Sequence, residues 1–275
     1  MRCLIVADLH YSLPQFDWLL SAAPQFDLVV FAGDALNLAS AVDFRAQIVV
    51  VKKYLARLAG LTRVILCSGN HDLDDRNAEG EKYSRWIGEV RDLGIVCDGE
   101  SLMIGDTLFT VCPWWDGPLV KARIDAQLAK DAASRPTRWI WAHHAPPANS
   151  PTSWGGKRFF GDVELVQWIE THRPSMVISG HVHQSPFIPD GSWYDRLGDT
   201  WVFNAGLQPG RPPVYIVIDI DEGTAFWLPA GEAQCIDLKA PLARPAAPLA
   251  AAPPWLTSLD RIADPSLAKP ASAEG

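Results

Sequence analysis

The chain has no run of about 18 apolar residues, the length a membrane-spanning helix requires, so no span is expected. It has no Cys-x-x-Cys pair. Its five cysteines are odd in number and irregularly spaced, which argues against a disulfide framework and against a thiolate zinc site. Cys3, Cys67 and Cys112 fall in apolar, strand-like runs and read as buried thiols. There is no basic excess: the formal net charge is −8, which argues against broad nonspecific binding to nucleic acid or an anionic membrane. The first apolar run is too short for a signal-peptide core, and with the thiols read as unpaired the expected location is a reducing cytoplasm. No internal repeat is visible. What remains is a 275-residue chain, 48% hydrophobic and 20% charged, long enough for one large domain or two small ones.

The informative feature is where the histidines lie. Five short apolar runs each end in oxygen or nitrogen donors. Leu4-Ile5-Val6-Ala7 runs into Asp8-Leu9-His10, and Leu28 to Ala32 into Gly33-Asp34. Arg63 to Cys67 leads to Ser68-Gly69-Asn70-His71-Asp72, Trp139 to Ala142 to His143-His144, and Met176 to Ser179 to Gly180-His181-Val182-His183. Six of the seven histidines sit at these strand ends and only His172 lies elsewhere. In open α/β sheets ligands bind outside the carboxyl ends of strands, so five such ends meeting would make a pocket of Asp, His and Asn.

Between these runs the spacing predicts helices over Phe16 to Ala23, Val42 to Leu58, Tyr83 to Leu93, Leu119 to Ala133 and Val163 to Thr171. Gly105-Asp106 reads as a hairpin turn, Leu73 to Gly80 as a loop, and Pro146 to Gly161 as a long loop. After His183 the chain turns to β, with strands at Thr200 to Asn204, Val214 to Asp219 and Thr224 to Leu228. Helices alternating with strands, then strands in succession, fit a four-layer α-β-β-α sandwich of two mixed sheets flanked by helices. The expected division is a domain at 1–238 and an Ala/Pro-rich tail at 239–275, extended or disordered apart from possible docking of Trp255 and Leu256.

A donor set of carboxylate, imidazole and amide without thiolate favours borderline or hard divalent ions. Two ligand clusters sharing one carboxylate would hold two ions, an arrangement that clamps a phosphate and suits phosphoester hydrolysis.

The motifs Asp8-x-His10, Gly33-Asp34, Gly69-Asn70-His71-Asp72, His143 and Gly180-His181-x-His183, in that order, resemble the five blocks of the calcineurin-like metallophosphoesterase superfamily. The resemblance runs from residue 8 to 183 and implies the same sandwich and two divalent ions drawn from Mn, Fe, Zn and Ni. It implies Asp8, His10 and His183 at the first ion, Asn70, His143 and His181 at the second, and Asp34 bridging. His143 is preferred over His144 because the family ligand usually comes first in a His-His-(x)-Pro string, although Ala145 is inserted here. His71 would assist the leaving oxygen and Asp72 would orient His71. Gly33-Asp34 continues as Ala35-Leu36-Asn37 and Asp72 stands where serine/threonine phosphatases usually carry Glu. Both departures set the chain apart from the serine/threonine phosphatases and the related dinucleotide tetraphosphatases, while Gly69-Asn70-His71-Asp72 followed by Asp74, Asp75 and Arg76 is more like the bacterial phosphodiesterase branch, which includes cyclic-nucleotide phosphodiesterases.

The expected activity is therefore hydrolysis of a small phosphodiester such as a cyclic nucleotide. Monoester hydrolysis, nuclease action and a non-catalytic metal-binding scaffold are the rivals. Arg76 and Arg158 are candidate phosphate contacts, with solvated surface charge as the plainer reading. Trp114, Trp115 and Trp154 follow strand ends and could stack on an aromatic group or pack their loops to the core. Asn37 reads as a turn cap and His172 as a surface residue at a helix end.

Overall fold

The computed structural model describes residues 1–134 and 136–263. Its strands are β1 (Arg2–Val6), β2 (Leu28–Ala32), β3 (Arg63–Cys67), β4 (Asp75–Arg76), β5 (Lys82–Tyr83), β6 (Val96–Cys97), β7 (Ser101–Ile104) and β8 (Thr107–Val111). There follow β9 (Arg138–Ala142), β10 (Met176–Ser179), β11 (Tyr194–Leu197), β12 (Thr200–Asn204), β13 (Tyr215–Asp219), β14 (Thr224–Leu228), β15 (Gln234–Asp237) and β16 (Ala247–Pro248). The helices are α1 (Leu13–Ala22), α2 (Phe44–Ala59), α3 (Arg85–Glu89), α4 (Pro118–Ala133), α5 (Val163–His172) and α6 (Pro254–Ala263).

One sheet has the spatial order β16-β15-β14-β13-β1-β2-β3-β6 and the other β11-β12-β10-β9-β8-β7. The centre of each is parallel: β1 to β2 to β3 in the first, β9 to β10 to β12 in the second. Side chains alternate between faces along a strand, and here both faces are buried. In β1, Cys3 and Ile5 enter the layer between the sheets with Val30, Ile140 and Ile178. Leu4 and Val6 face the opposite side, where they pack with Trp18 and Leu19 of α1 and Val51 and Leu55 of α2. The far face of the second sheet packs Trp141 and Val177 on Ile124 of α4 and Leu165 and Ile169 of α5. These three apolar layers make the expected α-β-β-α sandwich. The middles of the parallel strands are apolar because neither face meets water.

Helix starts follow local chemistry. Asp43 caps α2 by accepting from the Arg45 and Ala46 amides, and Asp162 caps α5 by accepting from those of Glu164 and Leu165. The amphipathic stretch at 83–93 is broken into α3 and a 3-10 turn, Val90–Leu93, that stops at left-handed Gly94. Part of the predicted 73–80 loop is a two-residue strand paired with β5.

The tail is corrected. Among its described residues, β16 adds to the first sheet through β15 and α6 packs on α1, burying Leu256 and Leu259. Trp255 lies edge-on to Phe226 at 5.4 Å with the Arg2 guanidinium over its ring at 5.1 Å. The Ala/Pro composition hid a short amphipathic segment that completes the outer layer. Residues 264–275 of the predicted tail lie outside the described residues.

Candidate metal centre

The carboxyl ends of β1, β2 and β3 and those of β9 and β10 point to the same edge of the sandwich, and the loops beyond them are knitted together. The Asp8 amide donates to the Gly33 carbonyl at 3.0 Å and the His10 amide to that of Asp34 at 3.0 Å. The His181 amide donates to the Asp8 carboxylate at 3.0 Å, which ties the second sheet's loop to the first sheet's.

Two donor clusters result. Asp8, His10, Asp34 and His183 form one, and Asp34, His144 and His181 the other. Within each cluster the donor atoms lie within 4.8 Å of one another. His10 and His183 bring their Nε2 atoms to 3.0 Å. Asn70 Oδ1 lies 2.9 Å from His181 Nδ1 and so borders the second cluster. Asp34 belongs to both.

The backbone is shaped for this. Asp8, His10, Asp34 and His181 all have positive φ, at 55°, 43°, 56° and 69°, a region non-glycine residues rarely occupy and which concentrates at functional sites. The glycines of the motifs make room. A Cβ on Gly69 would collide with the Asp34 carboxylate, one on Gly180 with that of Asp8, and one on Gly33 with the His144 ring.

The fourth motif departs from the expectation. His143 is buried, and its Nε2 lies 3.0 Å from Asp162 Oδ2, away from both clusters. The residue at the cluster is His144, with Nε2 3.2 Å from Asp34 Oδ2. The reason is the strand pleat. Adjacent residues leave a strand on opposite faces, and here only His144 turns toward the first sheet, where its Nδ1 donates to the Ala32 carbonyl at 2.6 Å. That bond fixes the tautomer and leaves Nε2 as the donor atom toward the cluster.

Asp72 also differs from expectation. Its buried carboxylate accepts from the amides of Asp34 at 2.8 Å, Gly69 at 2.9 Å and Leu36 at 3.1 Å. It holds the Asp34 loop rather than the His71 ring. His71 is placed by other contacts: its amide donates to Asp34 Oδ1 at 2.8 Å, and its Nδ1 accepts from the Leu38 amide at 3.3 Å. Its ring meets that of His10 edge-on at 4.6 Å.

The predicted arginines are not brought in. Arg76 donates to the Gly80 carbonyl within its own turn, and Arg158 lies over the Phe160 ring at 4.6 Å. Among the described residues no ion pair joins a Lys or Arg to any donor of the two clusters. Asn37 caps a turn by accepting from the Ala39 amide at 2.9 Å. Trp154 packs on Phe159, whereas Trp114 reaches the centre, 5.2 Å from His181 and 5.8 Å from His144.

The electrostatics of the two clusters are polarised. Burial, then the charge of His144, push His181 down to about 4. Burial alone would lower His144, but the Asp34 charge outweighs it and raises the imidazole to about 10. Burial opposes ionisation of Asp34, yet His144 and the His71 amide hold its carboxyl below the usual range. Burial and the adjacent Asp34 charge push Asp72 up to about 8 against the pull of its amide donors. The residues fit divalent cations on independent grounds. The set is oxygen and imidazole with no thiolate, two imidazole nitrogens face each other at hydrogen-bond distance, and buried His144 Nε2 is aimed at the Asp34 and Asp8 carboxylates, at 3.2 and 3.8 Å.

A calcineurin-like phosphoesterase family model matches residues 1–185. The chain belongs to the calcineurin-like phosphoesterases, hydrolases of phosphoester bonds. Among solved structures, TT1561 of Thermus thermophilus is similar with a TM-score of 0.54 and 16% identity, over 86% of this chain and 98% of that one. Purple acid phosphatase PPD1 of yellow lupin (Lupinus luteus) is similar with a TM-score of 0.53 and 13% identity, over 90% of this chain and 53% of the lupin chain. At these identities the likeness is one of fold. Comparison with curated proteins gave no match. No helix among the described residues is long and apolar enough to cross a membrane.

Proposed function

We propose that the protein is a dinuclear metal-dependent phosphodiesterase acting on a small diester, with a cyclic nucleotide as one candidate. The observation that carries the reading is the pair of donor clusters joined through Asp34. Asp8, His10 and His183 would hold one divalent ion, Asn70, His144 and His181 the other, and Asp34 both. Ions held there would neutralise phosphoryl oxygens and lower the pKa of a water.

The remaining work falls to the chain. The Leu38 amide occupies His71 Nδ1, so the neutral ring carries its proton on Nε2. That N–H donates a hydrogen bond to the departing oxygen and stabilises the charge that builds on it as the ester bond breaks. Asp72 fixes the Asp34 loop through three amides and is a positioning residue. Preference for a diester is supported by the resemblance of Gly69-Asn70-His71-Asp72 and the Asp74, Asp75 and Arg76 that follow it to the phosphodiesterase branch.

The test is hydrolysis of bis-p-nitrophenyl phosphate and p-nitrophenyl phosphate by metal-stripped protein resupplied with Mn, Ni, Zn or Mg. Metal-restored turnover that favours the diester is expected. Preference for the monoester would reassign the substrate, and turnover undiminished by stripping would remove the metal assignment.

A further inference from the structure

Beside the two clusters lies a cavity of about 330 Å³ whose lining includes Trp114, Trp115, Phe160, His143, Asp162 and His181. His181 belongs to the second cluster, so the cavity is continuous with the proposed metal centre. We propose that it is the subsite for a planar aromatic group, a nucleobase or aryl ring, esterified to the phosphate. This deepens the phosphodiesterase reading and rests on it.

Four observations converge. The size is at the lower end of small-molecule pockets, enough for one ring system and not for a polymer. The walls are aromatic. Trp114 is fixed by the hydrogen bond its backbone amide donates to Ser68 Oγ at 2.8 Å and by its ring contacts with His144 and His181. Phe160 lies against Gly155, where a Cβ would strike its ring, and remains 40% exposed at the rim. The polar floor is rigid: Asp162 Oδ2 accepts from Trp115 Nε1 at 2.8 Å and faces His143 Nε2 at 3.0 Å, while Oδ1 caps α5. Finally, His143 Nδ1 is buried and has no protein partner. This histidine lies outside both donor clusters and lines the cavity, so its ring is free of the metal centre and adds a further flat wall to the subsite. Aromatic walls hold a flat group regardless of its exact identity.

The experiment compares phenylphosphonate with methylphosphonate, titrated calorimetrically into the Mn²⁺-loaded full chain. Both carry the metal-seeking head group and only one carries a ring. Phenylphosphonate is expected to bind on the order of tenfold more tightly, the scale of stacking on aromatic side chains. Phe160→Ala should bring the two affinities within about twofold by weakening only phenylphosphonate. Val163→Trp, at a rim position 61% exposed, should fill the cavity and have the same selective effect. Equal affinities in the unaltered protein, or a preference that survives both substitutions, would overturn the subsite while methylphosphonate binding left the metal centre standing. Failure of both phosphonates to bind would overturn the metal-centre reading and the subsite together.

Discussion

At the residue scale, the adjacent histidines His143 and His144 carry opposite expectations. If His144 completes the second cluster, His144→Ala should bind one ion fewer per chain than the unaltered protein, and His143→Ala should retain the full complement. Elemental analysis after dialysis checks both, and normal metal content in His144→Ala would remove it from the ligand set. The pH dependence follows from the metal-free state. The His144 pKa, raised to about 10 by Asp34 against the pull of burial, lies above the unfolded value of roughly 6.5. The ion pair's contribution to folding is therefore full below about 6.5 and is lost as pH rises through about 10. A cation must displace that proton. Uptake at pH 7 should release about one proton at this site, and affinity should rise with pH over that window. Calorimetry in buffers of different protonation enthalpy measures the release; none in the unaltered protein would contradict the assignment.

At the scale of elements, the strand-end pattern was legible because each run is apolar and ends abruptly in polar donors. Both faces of those strands are buried, so nothing polar interrupts them. The choice between His143 and His144 was not legible by analogy with a family string, though the pleat held the answer. Trp141 faces α4 and α5 while Ala142 faces the other sheet, and continuing that alternation puts one histidine on each side. The role of Asp72 was hidden because its partners are backbone amides, which leave no mark in the sequence. The glycines before Asn70 and His181 stand in the sequence only as members of the motifs; in the fold they give clearance for carboxylates from other loops. Gly180→Ala places a methyl against the Asp8 carboxylate. It should lower metal content and diester turnover at least tenfold while leaving the far-UV circular dichroism unchanged, because the strand before it is untouched. Retained activity would show that the loop yields.

At the scale of the whole molecule, the sandwich separates stability from chemistry. The donors sit at one edge, held by loops with strained backbone, and the three apolar layers absorb that strain. Helix α6 belongs to the stabilising part alone. Leu259 is buried to 1% exposure and Leu256 to 5% in the layer formed by α1, α2 and the first sheet, and no cluster donor comes from α6. Leu259→Ala should cost roughly 2–5 kcal/mol, the range for truncating a buried leucine. Chemical denaturation should show the midpoint shift, and diester hydrolysis per folded molecule should stay within about twofold, as expected of a site without shared partners. A variant that kept its denaturation midpoint but lost turnover would instead mean that the tail helix communicates with the metal centre, and the division between scaffold and site would have to be redrawn.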